Sequence, residues 1–306
     1  MVRFSAGHAV TAAARRPMPA GPSISTCPPQ TTMFMTHCKE NFMSEPILLT
    51  SEQDNIGIVT LNMAHKRNAL NEEAIAAIDA YFSAVPSHIR AILLTAKGDH
   101  FCAGLDLKEH HDKARSGVEF MRVCQGWHRA FDKIQHGGIP VVACLQGAVV
   151  GGGLELASAA HVRVADSRTF FALPEGTRGI FTGGGATVRT ARIISAPRMV
   201  EMMLTGRVLD AREGRELGLA HYVCDIAKGD TPAPEFALTL AKKIAGNAPL
   251  SNYAIVSAIS RIADMSATDG LFTEGLVMAM IQQGDDVQER LGDFVNKKAH
   301  KVQLNA

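Results

Sequence analysis

The sequence predicts an α/β protein that ends in a helical section. Between residues 56 and 172, short apolar segments with the length of buried strands alternate with stretches whose apolar residues recur every three or four positions. Beyond Gly185 only the helical spacing continues. Strands that alternate with helices are typical of sheets whose strands are buried and mostly parallel.

Five segments are expected to form strands, and polar residues nearby indicate where helices begin. The strands are predicted over residues 56–62, 89–95, 140–145, 161–164 and 169–172. Asn71 can cap a helix that continues to Phe82, because it precedes apolar residues at helical spacing. Asp210 and Glu213 have the spacing of a capping box, and Gly218 would close the helix that this box opens.

The rest of the chain divides into a core, a helical region and an amino-terminal leader. Helical periodicity occupies residues 235–246, 249–263 and 270–282, and a charged tail follows from Asp285. We expect a core over residues 44–240 and a helical region over residues 241–306. Residues 1–43 contain few acids, as transit peptides do, but their prolines would break an amphipathic helix. A disordered leader, or an upstream start codon read in error, is the favoured interpretation, with an organellar location as the alternative.

Composition excludes several classes of function. The 306 residues include 31 basic and 30 acidic side chains, so the net charge of +1 provides no basic field for nucleic acid. An apolar fraction of 46% is that of a folded protein with a sizeable core. No apolar run reaches the roughly 20 residues that a membrane-spanning helix needs. We therefore expect a soluble, cytoplasmic protein with neither a nucleic-acid nor a membrane partner.

The cysteines and histidines do not have the spacing of metal ligands. The six cysteines form no C-x-x-C pair, and the twelve histidines show no H-x-x-x-H spacing. His110 and His111 are adjacent, so on a helix they would point in directions about 100° apart. No metal site is expected. Cys102 has no histidine placed by the sequence to activate it, which favours a packing role.

Gly151, Gly152 and Gly153 follow an apolar strand and precede a helical segment. Such a run brings bare backbone close to a neighbour and presents free N–H groups at a helix start, which suits an anion or a developing oxyanion. A dinucleotide fingerprint would need a glycine at position 156, and a P-loop would need Gly-Lys-Ser/Thr. Close packing of helix on strand explains the glycines equally well.

Two glutamates lie in segments that could form a site. Glu155 is one turn into the helix after the glycines and has apolar neighbours, so it is either a solvent-exposed rim residue or a buried carboxylate with a raised pKa. Glu175 follows an apolar strand and Pro174, and opens a glycine-rich loop. Distance along the chain does not establish whether the two carboxylates meet.

In combination these motifs resemble the enoyl-CoA hydratase/isomerase (crotonase) superfamily, over residues 47–300. The matching segments are residues 66–70, 103–106, 151–155, 174–176 and 294–297. The resemblance implies a spiral of ββα units with an α-helical C-terminal trimerisation region, trimers being commonly paired into hexamers. It also implies an acyl-CoA thioester substrate, with no cofactor apart from the coenzyme A of that substrate.

The resemblance implies roles for individual residues. The backbone N–H groups of Leu105 and Gly152 would form an oxyanion hole for the thioester carbonyl. Glu155 would activate water and Glu175 would deliver a proton to C2, although these roles could be shared or reversed. Residues implied to contact CoA or substrate are Lys66, Arg67, Ala69, Leu70, Ala103, Asp106, Leu107, Lys108, Phe294 and Lys297, the last two from a neighbouring subunit. Asp106 is also predicted to cap the helix that follows it.

The presence of both glutamates favours an enoyl-CoA hydratase. Residues 100–110 and 174–181 resemble the methylthioacryloyl-CoA hydratase branch, whose members can go on to hydrolyse the thioester, and a generic short-chain hydratase is the equal alternative. A Δ3-Δ2 isomerase, a thioester hydrolase and a CoA-binding scaffold or RNA-associated member are the other candidates. Trp127, with Met121 and Phe131, is expected in the core or in a pocket wall.

Overall fold

Two β-sheets carry the framework of the protein. The computed structural model describes residues 45–298, so the leader predicted for residues 1–43 lies outside the described residues. The described strands are β1 (Leu48–Gln53), β2 (Ile56–Leu61), β3 (Ala91–Ala96), β4 (Val141–Leu145), β5 (Ala148–Val150), β6 (Val162–Asp166), β7 (Phe170–Ala172), β8 (Val208–Asp210) and β9 (Tyr222–Cys224). Each of the five predicted strands corresponds to one of these.

The larger sheet has the order β1-β2-β3-β4-β6-β9, and the smaller has the order β5-β7-β8. From β2 to β9 every pairing in the larger sheet is parallel, and only the β1–β2 hairpin is antiparallel. In the smaller sheet β5 and β7 are parallel, whereas β8 is antiparallel to β7. The prediction of an α/β fold with mostly parallel strands is therefore confirmed.

Helices cover the larger sheet. The described α-helices are α1 (Glu72–Ser83), α2 (Leu107–Lys113), α3 (Gly117–His136), α4 (Gly152–Ala159), α5 (Arg189–Ile194), α6 (Ala196–Thr205), α7 (Ala211–Glu216), α8 (Ala233–Ala245), α9 (Pro249–Ile262), α10 (Ala267–Ile281) and α11 (Asp285–Val295). Side chains of β3 alternate between two clusters, with Ile92 and Leu94 in the cluster that includes α1 and α3. Leu93 lies in the second cluster with the buried alanines of α8, whose small size lets that helix approach the strands.

The predicted helix caps are confirmed. The Asn71 carboxamide oxygen accepts a hydrogen bond of 2.8 Å from the Ala74 amide at the start of α1. Asp210 and Glu213 form a reciprocal capping box at the start of α7, and Gly218 follows that helix with a φ of +86°. These local signals fix where the helices begin and end.

The carboxyl-terminal section consists of α8 to α11. The helices predicted over residues 235–246, 249–263 and 270–282 correspond to α8, α9 and α10, and the charged tail predicted from Asp285 begins with α11. Large apolar side chains are exposed along these helices, namely Tyr253, Ile255, Ile259, Leu271, Phe272, Leu276, Met278, Met280, Leu291, Phe294 and Val295. The division between a core and a helical region at residue 240 stays a prediction.

Candidate active site

Two backbone amides with free N–H groups lie side by side where α4 begins. Gly104 and Gly151 both adopt positive φ, +98° and +53°, which turns their loops toward each other. A Cβ atom built on Gly104 would lie 3.2 Å from the Gly152 nitrogen, and one built on Gly152 would lie 3.4 Å from the Leu105 nitrogen. Within residues 45–298 neither the Leu105 nor the Gly152 amide donates a hydrogen bond. The pair is therefore available to an oxygen that bears negative charge.

The glycines around this point are required by close contacts. A Cβ on Gly152 would approach Trp127 Cζ3 to 2.6 Å and Cη2 to 2.8 Å. A Cβ on Gly153 would overlap the carbonyl group of Cys102. Both explanations of the glycine run thus apply, because tight packing of α4 on the preceding loops is what leaves the Gly152 amide beside that of Leu105.

Glu155 is a buried carboxylate that is held by backbone amides. It lies in the first turn of α4 and is 3% exposed. Its Oε1 accepts hydrogen bonds from the amides of Gly184, at 2.8 Å, and Ala186, at 3.0 Å. Burial raises the pKa of Glu155, while these two amides and the charge of Arg189 oppose the rise. Because both amides donate to Oε1, they leave Oε2 of this carboxylate free to accept a hydrogen bond from another donor.

Arg189 fixes the loop that carries these amides. Its Nη1 donates to the Gly184 carbonyl oxygen at 3.1 Å, while Nη2 donates to Asp132 Oδ1 and Nε to Gln135 Oε1, both at 2.6 Å. Asp132 and Gln135 belong to α3, so the guanidinium ties the glycine-rich loop to that helix. Arg189 was not predicted from the sequence, in which its one signal is an arginine shortly after the glycines at 183–185.

Glu175 lies three residues beyond the end of β7, immediately after Pro174, and precedes a 3-10 turn over residues 176–178. It is 5% exposed, and its Oε2 has no hydrogen-bond partner among the described residues. Burial raises its pKa to about 7, and the nearby charge of Glu155 adds to the rise. A Cβ on Gly151 would lie 3.1 Å from Glu175 Oε1, which places this carboxyl beside the turn that presents the Gly152 amide.

One cavity brings these groups together. Its lining includes both glutamates, Leu105 and Gly152, so the structure joins the segments that the sequence could not join. The other described lining residues are Ala103, Gly104, Leu107, Phe120, Val123, Cys124, Trp127, Gly151, Pro174, Arg178, Ile180, Phe181, Thr182, Gly183 and Gly184. Apolar walls around two buried acids provide the water-poor setting that raises the pKa of a carboxyl group.

Of the residues predicted to contact CoA, some line the cavity and the others lie outside its described lining. Ala103 and Leu107 line the cavity. Lys66, Arg67, Ala69, Leu70, Asp106 and Lys108 lie outside its described lining, but the 66–70 segment is bonded to the loop that lines it, through Ala103 N to Arg67 O at 3.0 Å and Leu70 N to Gly104 O at 2.7 Å. The Leu70 side chain is fully buried in the core.

Polar contacts outside the cavity define the roles of the charged members. Asp106 caps α2 by accepting from the Glu109 amide at 3.1 Å, as predicted, and its Oδ2 accepts from Lys66 Nζ at 2.8 Å. Lys108 is exposed and pairs with Asp112. Phe294 and Lys297 are exposed on and after α11, outside the described lining of the cavity.

One of the predictions about residues with structural roles is wrong. Trp127 is 5% exposed and forms a wall of the cavity, Phe131 is fully buried, and burial raises the pKa of Cys102 to about 12. Met121 is 55% exposed, so its assignment to the core or the pocket wall was wrong. Six residues on a helix amount to about 600°, which turns Met121 far from the face of Trp127.

Within residues 45–298, no three His, Cys, Asp or Glu side chains are grouped so that they could hold a metal ion. Over the same residues, none of the helices combines the length and apolar character needed to cross a bilayer.

The fold and the site define a class of protein: an α/β protein with two buried acids beside a pair of free amides. Comparison with known sequences then identifies the family. The sequence profile described as Enoyl-CoA hydratase/isomerase matches residues 51–303, and the chain belongs to this family.

Relatives and solved structures support the same assignment. A 2,3-dehydroadipyl-CoA hydratase of Escherichia coli K12 is 31% identical over 260 residues, which cover 84% of this chain and 97% of that one. A mevalonyl-coenzyme A hydratase of Beauveria bassiana is 33% identical, over 80% of this chain and 90% of that one. A Rhodopseudomonas palustris crystal structure, provisionally described as an enoyl-CoA hydratase, is 43% identical with a TM-score of 0.78, over 82% of this chain and 95% of that one.

Proposed function

We propose that this protein adds water across the C2=C3 bond of a short 2-enoyl-CoA thioester. The observation that carries the proposal is the pair of buried glutamates in one cavity with the free amides of Leu105 and Gly152. Each group suits one part of the reaction, and the family supplies the substrate class.

The two amides serve the thioester carbonyl. When water attacks C3, the π electrons of the double bond move toward the carbonyl oxygen, which takes on negative charge. Donors fixed in advance at that oxygen stabilise the transition state, and losing one donor in other enzymes lowers kcat by about 10²–10³-fold. Leu105 and Gly152 contribute only backbone atoms, so the Leu105 side chain is no obstacle.

The two glutamates move the protons. Glu155, stabilised as a carboxylate by two amides, takes a proton from the attacking water as the C3–O bond forms. Glu175, whose pKa of about 7 keeps much of it protonated near neutral pH, gives its proton to C2. Water has then added across the double bond, and proton exchange with solvent restores both carboxyls.

The proposed substrate is small, and methylthioacryloyl-CoA is a candidate beside crotonyl-CoA. The likeness of residues 100–110 and 174–181 to the methylthioacryloyl-CoA hydratase branch supports it. Hydrolysis of the hydrated thioester would need a second water at the carbonyl carbon, with the same amides holding its oxygen. No cofactor is proposed beyond the coenzyme A of the substrate, and the cytoplasmic location stays a prediction.

A homotrimer, or a pair of trimers, is the proposed assembly. Exposed apolar side chains on α9 and α10 are a surface that association would bury. Phe294 and Lys297 are exposed outside the cavity, as residues that reach a neighbouring subunit's CoA would be. Light scattering on the purified protein measures the assembly directly.

Loss of enoyl-thioester absorbance tests the activity. Crotonyl-CoA and methylthioacryloyl-CoA are compared with wild type, Glu155→Gln, Glu175→Gln and, as a control, Glu235→Gln, whose side chain is exposed on α8. We expect turnover by wild type and the control, and losses of about 10²–10⁴-fold in the other two. Migration of the double bond without hydration, or retained hydration in Glu155→Gln, would contradict the two-carboxylate hydratase.

A further inference from the structure

Two separate cavities meet at helix α3. The first is the active-site cavity, and the second is a groove between α1 and α3. Val123 and Trp127 are the residues that line both. The side chains at these two positions therefore form a partition, with the buried glutamates on one side and the groove on the other.

Trp127 is held firmly in this partition. Its six-membered ring lies against Gly152, and its Cε3 atom would be 2.8 Å from a Cβ on Gly184. On the core side it packs edge to face on Phe131, with ring centroids 5.6 Å apart. The indole thus occupies the space directly beyond the Gly152 amide and the loop that holds Glu155.

The groove behind the partition has room for an alkyl tail. Gly126 contributes no side chain to it, and a Cβ built there would have only Arg129 Nη2 within 4 Å, at 3.8 Å. Ile75 and Ala76 of α1 provide apolar lining opposite. Charged side chains of the same helices, including Asp79 and Arg129, also line the groove.

We propose that Trp127, together with Val123, is the specificity-determining residue that restricts the acyl group to a short chain. This inference rests on the proposed function. The partition ends the acyl-binding space close to the reacting carbons, so a long acyl chain would have to displace the indole. With the indole removed, the active-site cavity opens into the groove, and a long chain can pass between α1 and α3.

The ratio of kcat/KM for 2-decenoyl-CoA to that for crotonyl-CoA tests the partition. We expect this ratio to rise about tenfold or more in Trp127→Ala, because one methylene misfit in an apolar pocket already changes kcat/KM about 10–200-fold. The rise should be smaller in Val123→Ala. A ratio is insensitive to any general loss of activity. Val123→Ala removes only two methyl groups, so it keeps the test available if Trp127→Ala folds poorly.

Two further variants distinguish the partition from a mere enlargement of the cavity. Phe120 lines the active-site cavity but not the groove, so Phe120→Ala enlarges the cavity without opening it into the groove and should raise the ratio by less than Trp127→Ala does. Ala76 is exposed in the groove, so Ala76→Trp added to Trp127→Ala should block the new path and reverse the gain. An unchanged ratio in folded Trp127→Ala and Val123→Ala, or an equal gain in Phe120→Ala, would overturn the proposal.

Equilibrium binding separates this proposal from the proposed function. Decanoyl-CoA and butyryl-CoA have no double bond to hydrate, so calorimetry with them measures the space for the acyl chain without turnover. A wild type that hydrates neither enoyl substrate would contradict the hydratase. Trp127→Ala should still gain affinity for decanoyl-CoA relative to butyryl-CoA, and the absence of that gain would overturn the partition alone.

Discussion

Replacing Glu175 by glutamine should stabilise the folded protein at alkaline pH and leave its stability almost unchanged in acid. Burial raises the pKa of Glu175 from 4.5 to about 7. Below about pH 4 the carboxyl is protonated in both the folded and the unfolded chain, so it adds no pH dependence. Between pH 4.5 and 7 the unfolded chain releases the proton while the folded chain retains it, and the free energy of unfolding falls.

The size of this effect follows from the two pKa values. The interval from 4.5 to about 7 corresponds to about 3 kcal/mol at 1.36 kcal/mol per pKa unit. Above about pH 8 the wild type carries this full destabilisation, because a charged carboxylate with an unpartnered Oε2 is buried in the cavity. Glutamine has no charge at any pH, so the variant does not suffer this loss of unfolding free energy.

Urea unfolding of wild type and Glu175→Gln at matched protein concentration measures the difference. Titratable groups remote from position 175 contribute equally in the two chains, so the difference in unfolding free energy reports Glu175 together with its coupling to Glu155. We expect a difference that grows by about 3 kcal/mol from about pH 4 to pH 8, while hydratase activity is lost. A difference that stays constant over this range would refute a buried carboxyl with a raised pKa.

Three further changes have expected outcomes. Gly152→Ala should lower kcat by about 10²–10³-fold, because its Cβ would push on the Trp127 indole and displace an oxyanion donor. Gly275→Ala, at a helical glycine with open space around it, is the control. Equal activity of the two variants would contradict the assignment of the Gly152 amide to the oxyanion hole. Arg189→Met should lower kcat about 10–100-fold and move the acidic limb of the pH–rate profile to higher pH. The limb moves because the substitution removes a positive charge that lowers the pKa of Glu155. A lower kcat with an unmoved limb would indicate that Arg189 has a purely structural role. Asn71→Ala should reduce the unfolding free energy by about 1 kcal/mol with kcat unchanged, because the substitution removes the cap of α1, and denaturant melts with a parallel activity assay check this.

Much of the fold could be predicted because local patterns determine it. β3 and β4 are continuous apolar runs, and Asn71 and Asp210 carry their own capping partners within three residues. β1 was not predicted, since its sequence Leu-Leu-Thr-Ser-Glu-Gln is mostly exposed at the edge of the sheet and lacks alternation. β8 and β9 have three residues each, too few for periodicity to register.

The site could be predicted only as separate pieces. Glu155 and Glu175 were found from their glycine and proline neighbours, but their proximity depends on α4 and β7 packing around Gly151. Arg189 was missed because its partners are a carbonyl oxygen and two side chains of α3, more than 50 residues earlier in the chain. A contact of that kind leaves no spacing pattern, so a folded chain is needed to find it.

The position of helix α3 affects how the protein would discriminate among substrates. One face of this helix forms the wall of the acyl cavity at Trp127, and its last turns hold Arg189, which holds the loop that orients Glu155. The 20 residues of α3 form one continuous helix, so a displacement at Trp127 is transmitted to Asp132 and Gln135 on the following turns. An oversized acyl group that displaces Trp127 would therefore also displace Glu155, the proposed general base. Poorly fitting thioesters should therefore react slowly even once they are bound, so that discrimination is expressed in turnover as well as in affinity.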